Sequence, residues 1–257
     1  MAGRNKEQQQ DGPRDPRATL ALLWGEQGKP TRGPKPKLTP QRIASAAAEL
    51  ADREGLEAVS MNKVAGEFGV SAMALYRYVP GKTELVELMV EAVLAEGPDL
   101  SRVPEGDWRA AVREWTRQCA RVYADHPWLL GATAMRRQLM GPCQLRWLDA
   151  ALAALEPTGL DGARRHQVFL LLIGLVRNLA QQRGDHDEER DREWNRLSAE
   201  LLARYADRFP ALAKAVAEGA FAADGIDPLD FGLDRILDGV EALVAGREWP
   251  EGGDLPP

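Results

Sequence analysis

The sequence predicts an all-α fold in which a small N-terminal domain precedes a larger helical C-terminal domain. From residue 39 onward, apolar residues recur at intervals of three and four, as they do on the buried face of a helix. No convincing strand alternation and no internal repeat interrupts this pattern. Apolar residues make up 44% of the 257, which is enough for one large core or two unequal ones.

Several features of the composition favour a reduced, cytoplasmic protein. Two cysteines, Cys119 and Cys143, are too few for a disulfide framework. The N-terminus lacks the apolar region of a signal peptide. The longest apolar run, residues 168–176, is far shorter than the roughly 20 residues of a membrane helix. We therefore expect a cytoplasmic protein with no membrane partner.

The two ends of the chain are predicted to lie outside the folded domains. Residues 1–38 are rich in Gln, Gly, Pro, Lys and Arg, a composition typical of disorder. We predict a flexible basic arm here, with at most a short apolar turn at residues 20–24 and no core residues. Residues 251–257 form a short tail.

The first two helices have clear start and stop signals. Thr39 can cap the first helix, and Pro40 suits its first position. Gly55 ends this helix, because glycine readily adopts the left-handed conformation of a helix C-terminus. Ser60 then caps a second helix that runs to about Phe68.

Two further helices complete the N-terminal pattern. Gly69 breaks the second helix, and Ser71 can cap a short third helix that ends near Tyr78. A Pro-Gly turn follows, and a fourth helix is predicted over residues 82–96.

The rest of the chain is also predicted to be helical. Pro142 can open one helix, and Asp161 can cap another that contains residues 168–176. The densely charged residues 183–196 fit a solvated loop or helix surface. An aliphatic stripe over residues 233–244 predicts the last helix. The first apolar stripe of this region consists of Trp108, Val112, Trp115, Cys119 and Val122.

Residues 61–78 meet the physical requirements of a helix-turn-helix. Its first helix needs a small residue where the second helix crosses it, and Ala65 is there. The turn needs a residue that adopts a positive φ, and Gly69 follows four positions later. An ordinary helical hairpin with a glycine turn is the alternative, but it does not require the apolar positions to coincide as well. The positions expected to be buried are Val64, Phe68, Val70, Leu75 and, in part, Tyr78.

The distribution of charge also favours a nucleic-acid partner at the N-terminal end. The chain as a whole carries a net charge of −6. Residues 1–82 hold 13 Lys and Arg against 9 Asp and Glu, a net of +4, whereas residues 83–257 carry a net of −10. A basic end on an acidic remainder is typical of a protein whose basic end faces nucleic acid. The signal is weak by itself, because polar tails of either sign are common.

The segment GVSAMALYRYVPGKTELVELM, which begins at Gly69, resembles the DNA-binding domain of the tetracycline-repressor (TetR) family. The hallmark is Leu75-Tyr76-Arg77-Tyr78 in the third helix, followed by Lys82 at the start of the fourth. This resemblance covers about residues 39–95. It implies a helix-turn-helix DNA-binding domain at residues 39–82 and a C-terminal effector-binding and dimerisation domain at residues 83–250.

A softer resemblance extends over the C-terminal part. It consists of Trp108, the run His126-Pro127-Trp128, the pair Gly141-Pro142, and the stretch FGLDRILDGVE from Phe231 to Glu241. These resemble the C-terminal domain of a TetR subgroup whose members often regulate antibiotic export or drug response.

The TetR resemblance implies which residues contact DNA. The N-terminus of the third helix would enter the major groove, with Ser71 on a phosphate. The small or apolar side chains that follow favour contacts with thymine methyl groups over hydrogen bonds to bases. For the two tyrosines, packing alone is the alternative. The expected DNA-binding residues are Asn62, Ser71, Ala72, Met73, Ala74, Tyr76, Arg77, Tyr78 and Lys82.

The basic arm is a further candidate for DNA contact. Arg32, Lys35 and Lys37 directly precede the first helix. A basic arm in this position can enter a narrow A·T-rich minor groove. A solvated tail that only aids solubility fits the same residues.

Bulky side chains in the C-terminal domain suit an apolar effector cavity with a few polar anchors. Plain core packing is the alternative for each of them. No set of His, Cys, Asp and Glu has metal-ligand spacing, so we expect no metal and no cofactor. The candidate ligand-binding residues are Trp115, Cys119, Tyr123, Trp128, Met135, Gln138, Met140, Trp147, Phe169, Arg177, Asn178 and Gln181.

We also expect a homodimer, because of the DNA site that the motif reads and because of the apolar surface of two helices. One helix-turn-helix reads only a few base pairs, whereas two related by a two-fold axis read a palindrome. Residues 168–176 are apolar on all sides and need cover on both faces. Paired with the aliphatic stripe of the last helix across a two-fold axis, they would form a four-helix interface.

Together these observations predict a sequence-specific DNA-binding transcriptional regulator without enzymatic activity. The predicted mechanism is a repressor that a small hydrophobic or aromatic ligand releases from a palindromic operator, in control of an efflux or antibiotic-related gene. An activator, or a regulator that responds to a protein, would use the same fold. An enzyme with a DNA-binding appendage lacks a nucleophile motif, phosphate loop or carboxylate pair here. A nucleoid protein conflicts with the acidic C-terminal part.

Overall fold

The computed structural model describes residues 16–25, 38–134, 140–183, 188–220 and 227–246. Within these ranges every regular element is a helix, which confirms the predicted all-α class. Short 3₁₀ turns lie at Leu56–Ala58, Glu156–Thr158 and Ala206–Arg208. The α-helices of the described residues are α1 (Pro16–Leu23), α2 (Pro40–Glu54), α3 (Met61–Glu67), α4 (Ala72–Leu75), α5 (Lys82–Val93), α6 (Trp108–Asp125), α7 (Leu129–Ala132), α8 (Pro142–Ala154), α9 (Gly162–Arg183), α10 (Glu188–Arg204), α11 (Pro210–Ala217) and α12 (Pro228–Val244).

The chain divides into two compact units, residues 1–173 and 174–257, and the division falls inside α9. The first unit therefore holds the helix-turn-helix and most of the helices predicted to surround an effector. The predicted boundary between domains at residue 82 coincides with the start of α5. Whether this boundary separates the two functions remains a prediction, because α5 contacts both α2, which precedes the boundary, and α8, which follows it.

The predicted signals at both ends of α2 are confirmed. Thr39 Oγ1 accepts a hydrogen bond from the Arg42 amide at 3.2 Å, and Pro40 occupies the first turn. Gly55 ends the helix with a φ of +83°. The buried face of α2, which includes Ile43 and Leu50, packs against α5.

The starts of α3 and α4 both follow the prediction, but only α3 has a side-chain cap. Ser60 Oγ accepts a hydrogen bond from the Lys63 amide at 3.2 Å, and Gly69 adopts a φ of +64° in the turn that follows. Ser71 occupies the N-cap position of α4, but its side chain makes no capping hydrogen bond. The predicted cap is therefore wrong. A helix as short as α4, which ends at Leu75 rather than near Tyr78, is held by packing instead.

Helix α5 is the central element of the first unit. Seven consecutive side chains are buried, which exceeds what one face of a helix can supply. Neighbouring helices α1, α2, α7 and α8 all contact α5 and so cover it on several sides. The seven buried residues are Leu85, Val86, Glu87, Leu88, Met89, Val90 and Glu91.

The prediction that the N-terminal arm carries no core residues is wrong for residues 16–23. They form α1, and Leu22 and Leu23 are buried, with only 3% of Leu22 exposed. Helix α1 contacts α5, so part of the predicted arm belongs to the core of the first unit. The sequence signal was the short apolar run at residues 20–24, which is brief enough to suit a turn as well as a helix.

The remaining helices of the first unit begin largely where the sequence predicts. Pro142 lies in the first turn of α8, and Asp161 Oδ1 accepts a hydrogen bond from the Arg164 amide at 2.8 Å at the start of α9. The predicted stripe on α6 is buried at Val112, Trp115 and Cys119.

In the second unit, α12 packs closely on the C-terminal half of α9. Leu233, Leu237 and Val240 of α12 are buried. A Cβ atom at Gly232 would overlap the Leu175 side chain, so the close approach of these helices requires glycine at this position. By contrast, none of the side chains of α11 is buried.

We expect Ser60→Ala to lower the free energy of unfolding by about 1 kcal/mol, because it removes the side-chain cap of α3. Ser71→Ala is the matched control. Its side chain makes no capping hydrogen bond, so the loss should be at most a few tenths of a kcal/mol. Urea unfolding of the free protein measures both, and equal losses would contradict the assignment of the two caps.

We expect Leu22→Ala to lower the free energy of unfolding by about 2–4 kcal/mol, since it leaves a cavity in the core. Deletion of residues 1–15, which leaves α1 intact, should cost much less. Thermal unfolding compares the two proteins. If the deletion proved as destabilising as the substitution, the packing of α1 would not be the source of the effect.

Candidate nucleic-acid interface

The helix-turn-helix is held together by a small buried core. Val64 and Ala65 of α3 and Leu75 of α4 are buried, as predicted, and Phe68 and Tyr78 are half-buried. The predicted burial of Val70 is wrong, since 36% of this residue is exposed. Its amide donates to the Ala65 carbonyl at 3.1 Å, which closes the turn and leaves the side chain at the surface.

The hydrophobic position after α4 is taken by a residue that the sequence analysis missed. Val79 is fully buried. Its amide donates a hydrogen bond to the Leu75 carbonyl at 2.9 Å. This bond holds the turn after α4 against the end of that helix. The signal was weak, because Val79 follows Leu75 at helical spacing but lies beyond the predicted end of the helix, next to a proline.

The predicted DNA-binding residues that are exposed lie in α4 or close to it in the chain. Ser71, Met73, Tyr76 and Arg77 are exposed, and 69% of Met73 is accessible. Asn62 and Lys82 are also exposed, whereas Ala72, Ala74 and Tyr78 are half-buried. The arm residues Arg32, Lys35 and Lys37 lie outside the described residues.

Two ion pairs connect α3 to the end of α2 and so help to orient the motif. Arg53 pairs with Glu67 at 3.0 Å, and Lys63 pairs with Glu54 at 2.5 Å. The hydrogen bond from Lys63 lowers the pKa of the Glu54 carboxyl. All four side chains are roughly half exposed, so screening by solvent makes each pair a weak contribution to stability.

A polar contact joins α2, the helix that precedes the motif, to the region after α6. Asp52 of α2 accepts two hydrogen bonds on the same carboxylate oxygen. One comes from His126 Nδ1 at 2.8 Å and the other from Trp128 Nε1 at 2.6 Å. Trp128 was predicted to line an effector cavity, but its indole N–H donates a hydrogen bond to Asp52 in the predicted DNA-binding domain. Sequence analysis could not find Asp52, because its partners lie more than 70 positions away.

Three of the candidate ligand-binding residues form an aromatic cluster in which Trp115 and Trp147 are buried and Phe169 is half-buried. The ring centroids of Trp115 and Trp147 are 6.1 Å apart, and those of Trp115 and Phe169 are 5.9 Å apart, both in edge-to-face geometry. The Trp115 indole donates to the Trp147 carbonyl at 2.9 Å. Burial raises the pKa of the Cys119 thiol, one turn further along α6, to about 12, so this thiol stays protonated.

The other candidate ligand-binding residues are scattered. Tyr123 is buried, and its hydroxyl lies 3.2 Å from that of Thr133. Met140 is exposed. In the second unit, Arg177 is half-buried, and both Asn178 and Gln181 are exposed. Met135 and Gln138 lie outside the described residues.

A cavity of about 610 Å³ lies between the end of α5, α6, α8 and the loop that joins α5 to α6. Among the candidate ligand-binding residues, only Trp147 lines this cavity. The Gln118 amide group bonds to both the amide and the carbonyl of Asp99, which holds the loop against α6. No local sequence pattern pointed to this cavity. Its polar lining consists of Glu96, Asp99, Arg102, Glu114, Gln118 and Arg121.

Comparisons with known proteins agree with this arrangement. Residues 43–89 match the family described as bacterial regulatory proteins, tetR family, and residues 100–244 match the tetracyclin repressor-like C-terminal domain. The HTH-type transcriptional repressor DrrR1 of Streptomyces coeruleorubidus is 38% identical over 95% of this chain and 93% of its own length. The class A tetracycline repressor from transposon 1721 of Escherichia coli is 29% identical over 85% of this chain and 99% of its own.

Solved structures show the same fold. The TetR family protein ActR of Streptomyces coelicolor, in complex with (S)-DNPA, superimposes with a TM-score of 0.68 at 26% identity. The match covers 81% of this chain and all of that one. The ActR complex with actinorhodin gives the same TM-score and identity over 82% of this chain and 99% of that one.

The exposed recognition helix and the larger helical domain define a DNA-binding transcriptional regulator of the helix-turn-helix class. The two family matches and the identity to DrrR1 identify one family within that class. The chain belongs to the TetR family of transcriptional repressors, and it is not an enzyme. Within the described residues, no helix is long and apolar enough to cross a membrane.

We expect Lys82→Ala to weaken binding to operator and unrelated DNA alike, and to reduce the salt slope by about one charge. Lys82 is exposed at the start of α5, next to the recognition helix, where a point charge suits a phosphate. Fluorescence anisotropy over a range of salt concentrations measures both quantities. Lys214→Ala on α11 removes the same charge elsewhere and should leave the slope unchanged. Identical slopes for both variants would exclude Lys82 as a phosphate contact.

Proposed function

We propose that this protein is a homodimeric repressor which a small hydrophobic or aromatic ligand releases from a palindromic operator. The observation that carries the proposal is the combination of an exposed recognition helix with a buried aromatic cluster in the same unit. The ligand-bound structures of the related ActR support a small-molecule input. The identity to DrrR1 supports repression as the output.

In this proposal the exposed face of α4 reads the major groove. Met73 and Ala72 approach thymine methyl groups, and Tyr76 and Lys82 contact phosphates. Ser71 is free to donate to a phosphate, because its side chain is not engaged in capping α4. The exposure of Met73 and Tyr76 supports this arrangement. Arg77 reaches either a phosphate or a guanine.

The proposed dimer uses apolar side chains on α9 and α12. On α9, Val168, Leu172 and Val176 are buried at intervals of four, while 58% of Leu171 on another face is exposed. On α12, Leu243 is also exposed. Covering these faces with the same helices of a second copy would remove apolar surface from water and place two recognition helices on one palindrome.

The proposed effector is an aromatic, polycyclic compound that binds beside Trp115, Trp147 and Phe169. Edge-to-face contacts with aromatic rings favour a flat aromatic ligand. ActR, whose structures contain actinorhodin, is a 26% identical relative, so an antibiotic-like compound is the natural first candidate. We further propose that the regulated gene belongs to antibiotic export or response.

We expect actinorhodin, used as the probe, to bind free protein more tightly than operator-bound protein. The operator duplex is first located by footprinting the DNA upstream of the protein's own gene, where two protected half-sites should appear. A 100-fold loss of DNA affinity requires a coupling of about 2.7 kcal/mol, and reciprocity gives the operator the same effect on the ligand. Calorimetric titrations with and without the duplex measure both affinities.

Phe169→Ala tests whether the aromatic cluster is the ligand site in this titration. It removes one wall of the aromatic cluster without touching α4, so actinorhodin should bind at least ten times more weakly while operator affinity stays unchanged. Equal ligand affinity with and without operator would show that the compound binds without causing release. A footprint with a single half-site would contradict the dimer.

A further inference from the structure

Helix α8 has no cap of its own at its N-terminus. Gly141 occupies the N-cap position and offers no side chain, so the first amides of the helix need another acceptor. Glu91 of α5 supplies it from about fifty positions away. The Cys143 amide donates to Glu91 Oε2 at 2.8 Å, and the Gln144 amide donates to Oε1 at 3.1 Å. The carboxylate thus takes the place of a local cap.

The end of α5 is capped in return by side chains of α8. The last carbonyls of a helix lack partners within it. Here the Leu94 carbonyl accepts a hydrogen bond from Trp147 Nε1 at 3.2 Å, and the Ala95 carbonyl accepts one from Arg146 Nη1 at 3.0 Å. The two helices therefore satisfy each other's exposed backbone groups, the start of one against the end of the other.

This reciprocal capping occurs in a buried and tightly fitted place. Only 7% of Glu91 is exposed, so its charge depends on the two amides and on the positive end of the α8 dipole. A Cβ atom at Gly141 would overlap the Glu91 carboxylate, so a larger residue at this position would displace that carboxylate from the α8 amides. Burial, and after it the adjacent Glu91, raises the pKa of the Cys143 thiol to about 11.

We propose that Glu91 locks α5 and α8 into one rigid body, so that α8 follows every movement of α5 and transmits effector binding to the recognition helix. Glu91 is then a positioning residue, since it touches neither DNA nor the aromatic cluster. The proposal rests on the effector-dependent release proposed above. It adds the residue that connects the effector site to the recognition helix. Helix α5 begins directly after the helix-turn-helix, and α8 carries Trp147 of the aromatic cluster.

The Trp115 indole on α6 can report the movement of α8. Its N–H donates to the Trp147 carbonyl, so a shift of α8 against α6 changes this hydrogen bond. In full-length protein labelled with ¹⁵N-tryptophan, we expect saturating operator duplex to displace the Trp115 indole resonance. This measurement needs DNA alone, so it can succeed or fail independently of any effector.

We expect Glu91→Gln to reduce this displacement to less than half, because the amide group replaces one acceptor oxygen and the charge. Trp147→Phe is a second variant, which removes the indole donor to Leu94 but keeps an aromatic ring in the cluster. Glu96→Gln is the matched control: it makes the same chemical change on an exposed residue beyond the end of α5 and should preserve the full displacement. Circular dichroism verifies that each variant is folded.

Two outcomes would overturn the proposal. One is a Trp115 resonance that does not move when wild-type protein is saturated with operator. The other is an undiminished displacement in a folded Glu91→Gln or Trp147→Phe variant. If the displacement follows the expected pattern but actinorhodin does not release DNA, the mechanical connection stands and the identity of the effector is at fault.

Discussion

The first unit depends on the burial of one helix on several faces at once. Helix α5 is packed by α1, α2, α7 and α8, and its residues 85–91 are all buried. A helix in this position cannot rotate or slide without disturbing several neighbours, because protein interiors are close-packed. A displacement of α8 or α2 therefore disturbs the packing of α5. Only six residues separate the end of the recognition helix at Leu75 from the start of α5 at Lys82.

Two polar contacts fix distances and angles between helices that apolar packing alone leaves undefined. Glu91 and the side chains of α8 hydrogen-bond at the end of α5, and Asp52 of α2 hydrogen-bonds to His126 and Trp128. Apolar packing is non-directional, whereas a hydrogen-bonded carboxylate fixes both distance and angle. A regulator needs both properties. The apolar core keeps the helices together, and in the proposed mechanism the carboxylates set how the helices move relative to each other.

Much of the candidate site could be predicted from short-range patterns. The glycine turn at Gly69, the cap at Ser60 and the exposed side of α4 all follow from residues within a few positions of one another. The errors have a common cause. Val70 is exposed and Ser71 does not cap α4, because in so short a helix the tertiary packing of Leu75 and Val79 decides the orientation. The burial of α1 was missed because a run of five apolar residues says nothing about what will cover it.

The sequence by itself determined the all-α class, the positions of most helix starts, and the helix-turn-helix with its exposed recognition residues. Each of these depends on local spacing, capping or backbone conformation, which neighbouring residues specify. Only the tertiary structure decided that Asp52 and Glu91 are the carboxylates that join the DNA-binding helices to the rest of the unit. Their partners lie 52 to 76 positions away. Hydrogen bonds over such separations have no period along the chain, so they become visible only when the helices are packed.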